Sequence, residues 1–102
     1  MRFCPWYPLA DALAHLPAGE NVLQLRVAEG LVDYPRGKSA MVLYAHAPDI
    51  RAAAHALIGA HAHRDLLCRH LIEIDEATDL GTFCAKLRED FVRRFGARPM
   101  HE

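Results

Sequence analysis

Two short segments of alternating or continuous apolar residues, Asn21–Val27 (NVLQLRV) and Ala40–His46 (AMVLYAH), set the tightest limit on what this chain can build. In the first, Leu23, Leu25 and Val27 fall on one side and Gln24 and Arg26 on the other, the period-two pattern of a half-buried strand. The second is a compact apolar run suited to a neighbouring strand. Between them, Ala28–Lys38 carries Gly30, Pro35 and Gly37 and reads as a connection. With so little chain between them, the two strands pair most simply antiparallel.

The flanking segments supply the other layers. Pro8–Leu16 (PLADALAHL) reads as a short helix closed by Pro17 and Gly19, so residues 1–18 are expected to form a helical leader lying as a lid on the core. Asp49 is a good N-cap for a helix that runs to about His61, because Ile50, Ala53, Ala54, Leu57 and Ile58 follow it at helical spacing. Asp65–Ile74 reads as a third strand with Arg69 and Glu73 on its more exposed side. Asp79 caps a last helix whose stripe is Leu80, Phe83, Cys84, Leu87, Phe91 and Phe95, ended by Gly96 and Pro99. The order is helix, strand, strand, helix, strand, helix. That predicts an α+β fold, a small, mostly antiparallel three-stranded sheet flanked by helices, in one 102-residue domain whose core spans residues 21–98.

Composition narrows the functional classes. A net charge of -1 gives no global attraction to a polyanion, so nucleic-acid binding would have to come from a local patch. The basic run Lys86, Arg88, Arg93, Arg94 and Arg98 reads as a solvated helix face. Three cysteines, Cys4, Cys68 and Cys84, without a CxxC spacing argue for a reducing compartment, with the cytoplasm as the expected location. Prolines and an aspartate interrupt the N-terminal segment where a signal peptide needs a continuous apolar run, and no stretch approaches the ~20 apolar residues of a membrane span.

Three constellations invite a chemical reading. Gly37-Lys38-Ser39 ends like a phosphate-binding loop, but Gly30 is too distant to be its first glycine and a strand follows where a helix is needed. What remains is an exposed cationic loop bearing Arg36 and Lys38. His55, His61, His63 and His70 with Cys68 are zinc-ligand types, yet His61 and His63 point to different helix faces, and Cys68 and His70 alternate inward along a strand. They read as structural. Phe3, Trp6 and Tyr7 form an aromatic patch that reads as core cover, with a dimer contact as the other option.

The segment HLPAGENVLQLRV followed by MVLYAHAPDIRAA resembles the opening of GIY-YIG nuclease domains, and LREDFVRRFGARP is similar to their closing helix. The resemblance implies metal-dependent phosphodiester chemistry on DNA or RNA with Mg or Mn. In such a site a tyrosine acts as base, an arginine neutralises the developing phosphorane and a carboxylate holds the metal. The second-strand Tyr corresponds to Tyr44, and His46 stands where the family has a Gly. The family's first-strand Tyr and Gly fall at Leu23 and Asn21, and its Asn-Leu-Arg helix start is similar to Asp49-Ile50-Arg51. A later helix Arg falls at Ala53 or Ala54, the metal-binding Glu corresponds to Glu89 or Asp90, and only His101 lies near the place of a terminal Asn.

The resemblance therefore implies Tyr44, His46 and Arg51 as catalytic candidates, Glu89 as metal ligand, and Arg26, Arg36 and Lys38 as a nucleic-acid-binding rim. His46 could serve as base because imidazole titrates near neutral pH. Losing one transition-state charge partner costs ~10²–10³ in rate. The expectation is thus a nucleic-acid-associated domain with lost or altered phosphodiesterase activity, in which Tyr44, Arg51 and Glu89 converge in one cleft. The alternative is a non-enzymatic protein-interaction or homodimerisation module that uses the aromatic leader and the strand edges.

Overall fold

The alternating segment Asn21–Val27 is the middle of the sheet, in a computed structural model that describes all 102 residues. In chain order the elements are β1 (Arg2–Phe3), β2 (Tyr7–Pro8), a 3₁₀ turn (Leu9–Asp11), α1 (Ala12–His15), β3 (Asn21–Val27), β4 (Val32–Tyr34), β5 (Gly37–Ser39), β6 (Met41–Ala47), α2 (Ile50–Ala60), β7 (Leu66–Glu73) and α3 (Leu80–Phe95). β6 and β7 flank β3 on either side, both antiparallel to it: Leu23 stands opposite Ala45 and His70, and Leu25 opposite Leu43 and Cys68. β6 and β7 therefore run parallel to each other, and α2 is the crossover that such a return requires.

Alternation along β3 sends its side chains to two cores. Leu23 and Leu25 pack with Leu43, Ile50, Ala54 and Cys68 under α1 and α2. Val22 packs with Tyr44, Leu71, Leu80, Cys84 and Phe91 under α3. Where the β3–β7 ladder ends, Asn21 takes over as a rung. Its Nδ2 donates to the Leu71 carbonyl at 3.1 Å, and its Oδ1 accepts from the N–H groups of Leu71 at 3.0 Å and Val22 at 2.7 Å.

The helix ends follow the expected chemistry. Asp49 accepts from the Ala52 N–H at 3.2 Å and Asp79 from the Thr82 N–H at 2.9 Å, each satisfying a donor that has no partner within its helix. The two Thr82 bonds hold the Asp79 carboxyl below its ordinary pKa. Gly96 closes α3 at φ 81°, a left-handed conformation where a β-carbon would stand 3.2 Å from Pro35.

Two expectations need correction. The leader is not helical throughout: residues 2–8 lie antiparallel along the outer edge of β7, and only Leu9–His15 turns into short helix. Pro5 and Pro8 suit an edge because they have no N–H to offer a ladder. The sheet consequently has five strands rather than three. The connection Ala28–Lys38 also folds, as a β4–β5 hairpin in which Val32 pairs with Ser39 and Tyr34 with Gly37. Tyr34 anchors it, donating to the Met41 carbonyl at 2.7 Å and standing edge-on to Phe91 at 4.9 Å. No helix is long and apolar enough to cross a membrane. All three cysteines are free.

Candidate nucleic-acid interface

The residues singled out for catalysis are spread over the molecule. Tyr44 is 9% exposed, its ring edge-on to Phe91 at 6.0 Å, and burial pushes its phenol up to about 12. Such a phenol stays protonated at neutral pH. His46, two residues on along the same face, donates from Nε2 to Glu20 Oε2 at 2.6 Å. Arg51 sits in the first turn of α2, on the other side of the sheet. Its Nη1 donates to the carbonyls of Leu13 and Leu16, both at 2.8 Å, and so secures the end of α1.

Glu89 lies on α3 in a groove of about 520 Å³ lined by Ala85, Arg88, Val92, Arg93 and Arg98. Tyr44 and His46 share a hollow at the free edge of β6 with Arg88 and Glu102, but neither Arg51 nor Glu89 lines it. The expected convergence of Tyr44, Arg51 and Glu89 is therefore absent. Nor do the donors around Glu89 suit a divalent ion: the groove brings guanidiniums beside it, and no group of three or more His, Cys, Asp or Glu side chains is arranged to hold a metal. Arg88 was legible only as one charge in a basic run. In the fold it docks α3 on the sheet edge, donating from Nη2 to the Tyr44 carbonyl at 2.8 Å and from Nε to Glu102.

The three expected rim cations also part company. Arg36 caps the end of α3, donating from Nη2 to the carbonyls of Arg93 at 2.6 Å and Val92 at 3.3 Å. Lys38 faces Asp33 across the hairpin at 3.6 Å. Arg26 belongs to a different assembly, on the part of the sheet face beside α3.

That assembly is built by an irregularity in the edge strand. Phe3 pairs with Leu71 and Tyr7 with Cys68, so Cys4, Pro5 and Trp6 stand against only two residues of β7, Arg69 and His70. The surplus residue bulges the edge. Trp6 then comes to Arg69, whose guanidinium carbon is 4.4 Å from the centre of the Trp6 ring and 4.8 Å from that of Phe3. Arg69 Nε donates to Gln24 Oε1 at 2.6 Å, and the Arg26 guanidinium lies over the same indole at 5.4 Å. Burial draws the Arg69 pKa down from its ordinary value, which for a guanidinium leaves the charge in place at neutral pH.

Neither Arg26 nor Arg69 takes part in any of the five ion pairs of the protein. The face thus holds two half-exposed guanidiniums, positioned by aromatic rings and an amide, with no carboxylate to neutralise them. Positioning lowers the entropy lost when such groups bind an anion, and guanidinium geometry matches a phosphate through paired N–H donors. Trp6 and Arg69 were missed as partners because Trp6 was placed in a helical leader. The available signal was the pair of prolines at 5 and 8, which mark an edge strand.

Comparison with known proteins gives no family to this arrangement: no family model, curated protein or solved structure matches the chain.

Proposed function

We propose that this domain binds nucleic acid through the face bearing Trp6, Arg26 and Arg69, without hydrolysing it by the mechanism of the nucleases it resembles. The observation that carries the reading is the pair of guanidiniums held on one indole with no counter-charge. Backbone phosphates supply the missing charge, and the indole, itself half-exposed, offers a surface on which a base can stack. Binding of this kind releases counterions, so it weakens steeply with salt.

The resemblance to GIY-YIG domains enters as a relation of scaffold. Leu23 and Asn21 stand where that family has its first-strand Tyr and Gly, while Arg51 and the surroundings of Glu89 serve other purposes. Phosphodiester cleavage through Tyr44, Arg51 and Glu89 is accordingly not part of the proposal.

Trp6 is the single tryptophan of the chain, so its fluorescence reports on the platform directly. The test is a fluorescence titration with single- and double-stranded DNA and RNA of mixed sequence at two salt concentrations, each repeated with Mg²⁺ and Mn²⁺ and followed by gel for cleavage. Salt-sensitive quenching that disappears in Arg69→Ala, with intact oligonucleotide, is the expected result. Absence of binding at low salt overturns the reading. Metal-dependent cleavage would restore the nuclease alternative.

A further inference from the structure

The sheet ends on one side in the segment that carries Trp6 and on the other in β6. Along β6 runs a hollow of about 540 Å³, walled on one face of the sheet by Leu43, Ala45 and the α2 residues Ala53, Ala56, Leu57 and Ala60. That wall is apolar because α2 is. The eleven residues of the helix hold two polar side chains: Arg51, whose guanidinium is committed to the Leu13 and Leu16 carbonyls, and His55. A helix at a protein surface ordinarily turns charged residues to water, whereas α2 exposes Ala52, Ala56 and Ala60.

Charge is gathered at the two ends of this edge, with opposite sign. At the Ala47 end, Glu20 accepts from His46 Nε2 at 2.6 Å, Asp79 and the same imidazole both flank Gly81, and Asp49 caps α2. At the Met41 end, the His101 N–H donates to the Val42 carbonyl at 2.9 Å and the His101 ring lies 4.9 Å from that of His61. Arg64 donates to His61 Nδ1 at 3.0 Å and has no carboxylate within ion-pair range. Between the two ends, Arg88 and Glu102 neutralise each other.

We infer that this edge is the contact between two copies of the chain, related by a two-fold axis normal to the sheet at the middle of β6. That axis sets the Ala47 end of one copy against the Met41 end of the other, so the carboxylates of Glu20 and Asp79 meet Arg64 twice over. It also lays the two α2 helices antiparallel, alanine flank to alanine flank, with each N-terminus beside the other's C-terminus, the favourable order of their dipoles. Any other partner would have to carry the same acid-to-base gradient reversed, which a second copy does by symmetry. Arg88 and His101 already occupy the carbonyls of Tyr44 and Val42, so side chains rather than a continuous strand ladder make the contact. The edge is seven residues long, about 23 Å, and three layers deep, so a copy seated on it covers on the order of 600 Å² a side, the lower end for a specific dimer.

The interface lies at the edge opposite Trp6 and is tested without nucleic acid. Sedimentation equilibrium of the full chain, run into the high micromolar range at low and high salt, should show a reversible monomer–dimer equilibrium that weakens as salt rises. Ala56 is exposed, so Ala56→Glu leaves the urea midpoint of the monomer unchanged while placing two carboxylates against each other at the axis, and the dimer is lost. Arg64→Glu and Glu20→Arg should each weaken self-association by about tenfold or more, because each puts like charges at both ends of the contact. An equimolar mixture of those two variants should recover the wild-type affinity, since one end then holds the native pair and the other the reversed pair. Should Arg64→Glu not fold, Ala56→Glu alone decides. A wild-type chain that stays monomeric at every concentration overturns the inference and leaves the edge to a different protein or to solvent. A dimer untouched by Ala56→Glu, or a mixture no tighter than its components, overturns it equally.

Discussion

The guanidinium carbon of Arg69 lies 4.4 Å from the centre of the Trp6 ring, joining an edge segment at the start of the chain to the strand that follows α2. Gln24 on the central strand accepts from Nε of the same side chain at 2.6 Å. Three elements thus fix one cation, and the second, Arg26, shares its indole.

If this cluster is the binding surface, its parts fail in different ways. Trp6→Ala removes a stacking surface and should weaken single-strand binding by about 1–3 kcal/mol. Arg26→Ala should weaken binding to all sequences and reduce the slope of log K against log salt by about 1. Arg69→Lys keeps the charge but loses the planar fork, and should bind less well than wild type. Fluorescence anisotropy of a labelled oligonucleotide measures all three. Unchanged affinity in Trp6→Ala and Arg69→Lys together would remove this face from consideration.

Arg51 should behave as a structural residue. Its two bonds to the Leu13 and Leu16 carbonyls tie α1 to α2, and Arg51→Ala should cost about 1.5–3 kcal/mol, the range for hydrogen bonds from a charged donor. Urea unfolding gives the cost, and oligonucleotide affinity measured well below the unfolding midpoint should not change. Normal stability with lost binding would reverse that assignment.

Asn21 carries more than its size suggests. It is 1% exposed and satisfies both backbone groups of Leu71 along with the Val22 N–H. Asn21→Ala leaves those groups without partners and should destabilise the protein by about 2–3 kcal/mol. Chemical denaturation would measure it, and an unchanged midpoint would mean that solvent replaces the amide at no cost.

Acid should loosen the fold at the far end of α2. Arg64 donates to His61 Nδ1 at 3.0 Å, and the His61 and His101 rings lie 4.9 Å apart. Burial and the Arg64 charge lower both pKa values, as burial and His15 do for His70. Below about 6.5, the ordinary imidazole value, the unfolded chain binds these protons before the folded one does. Their contribution to stability is thus complete above that pH and is lost as pH falls through the depressed folded values. Urea midpoints from pH 8 to pH 5 should be level and then decline, with His61→Gln and His101→Gln flattening the decline. A level profile to pH 5 would show that these rings accept protons freely in the fold.

What could be read from the chain directly was whatever local interactions decide. Alternation in Asn21–Val27 fixed the central strand, and short separation fixed its antiparallel pairing with β6. Asp49, Asp79 and Gly96 marked helix ends because a cap bonds within a few residues of itself. The α+β class follows from those signals. Pro5 and Pro8 hint at an edge, but the tertiary structure decided which strand Arg2–Pro8 lines, since its partners on β7 lie far along the sequence. It also decided what each cation does. Arg36 and Arg51 satisfy backbone carbonyls and Lys38 meets a carboxylate, whereas Arg26, which donates from Nε to the Val27 carbonyl, and Arg69 share an indole and pair with no carboxylate. A charge's sign is written in the residue, but whether it is neutralised depends on which groups packing brings within a few ångströms, and no spacing rule in the sequence encodes that.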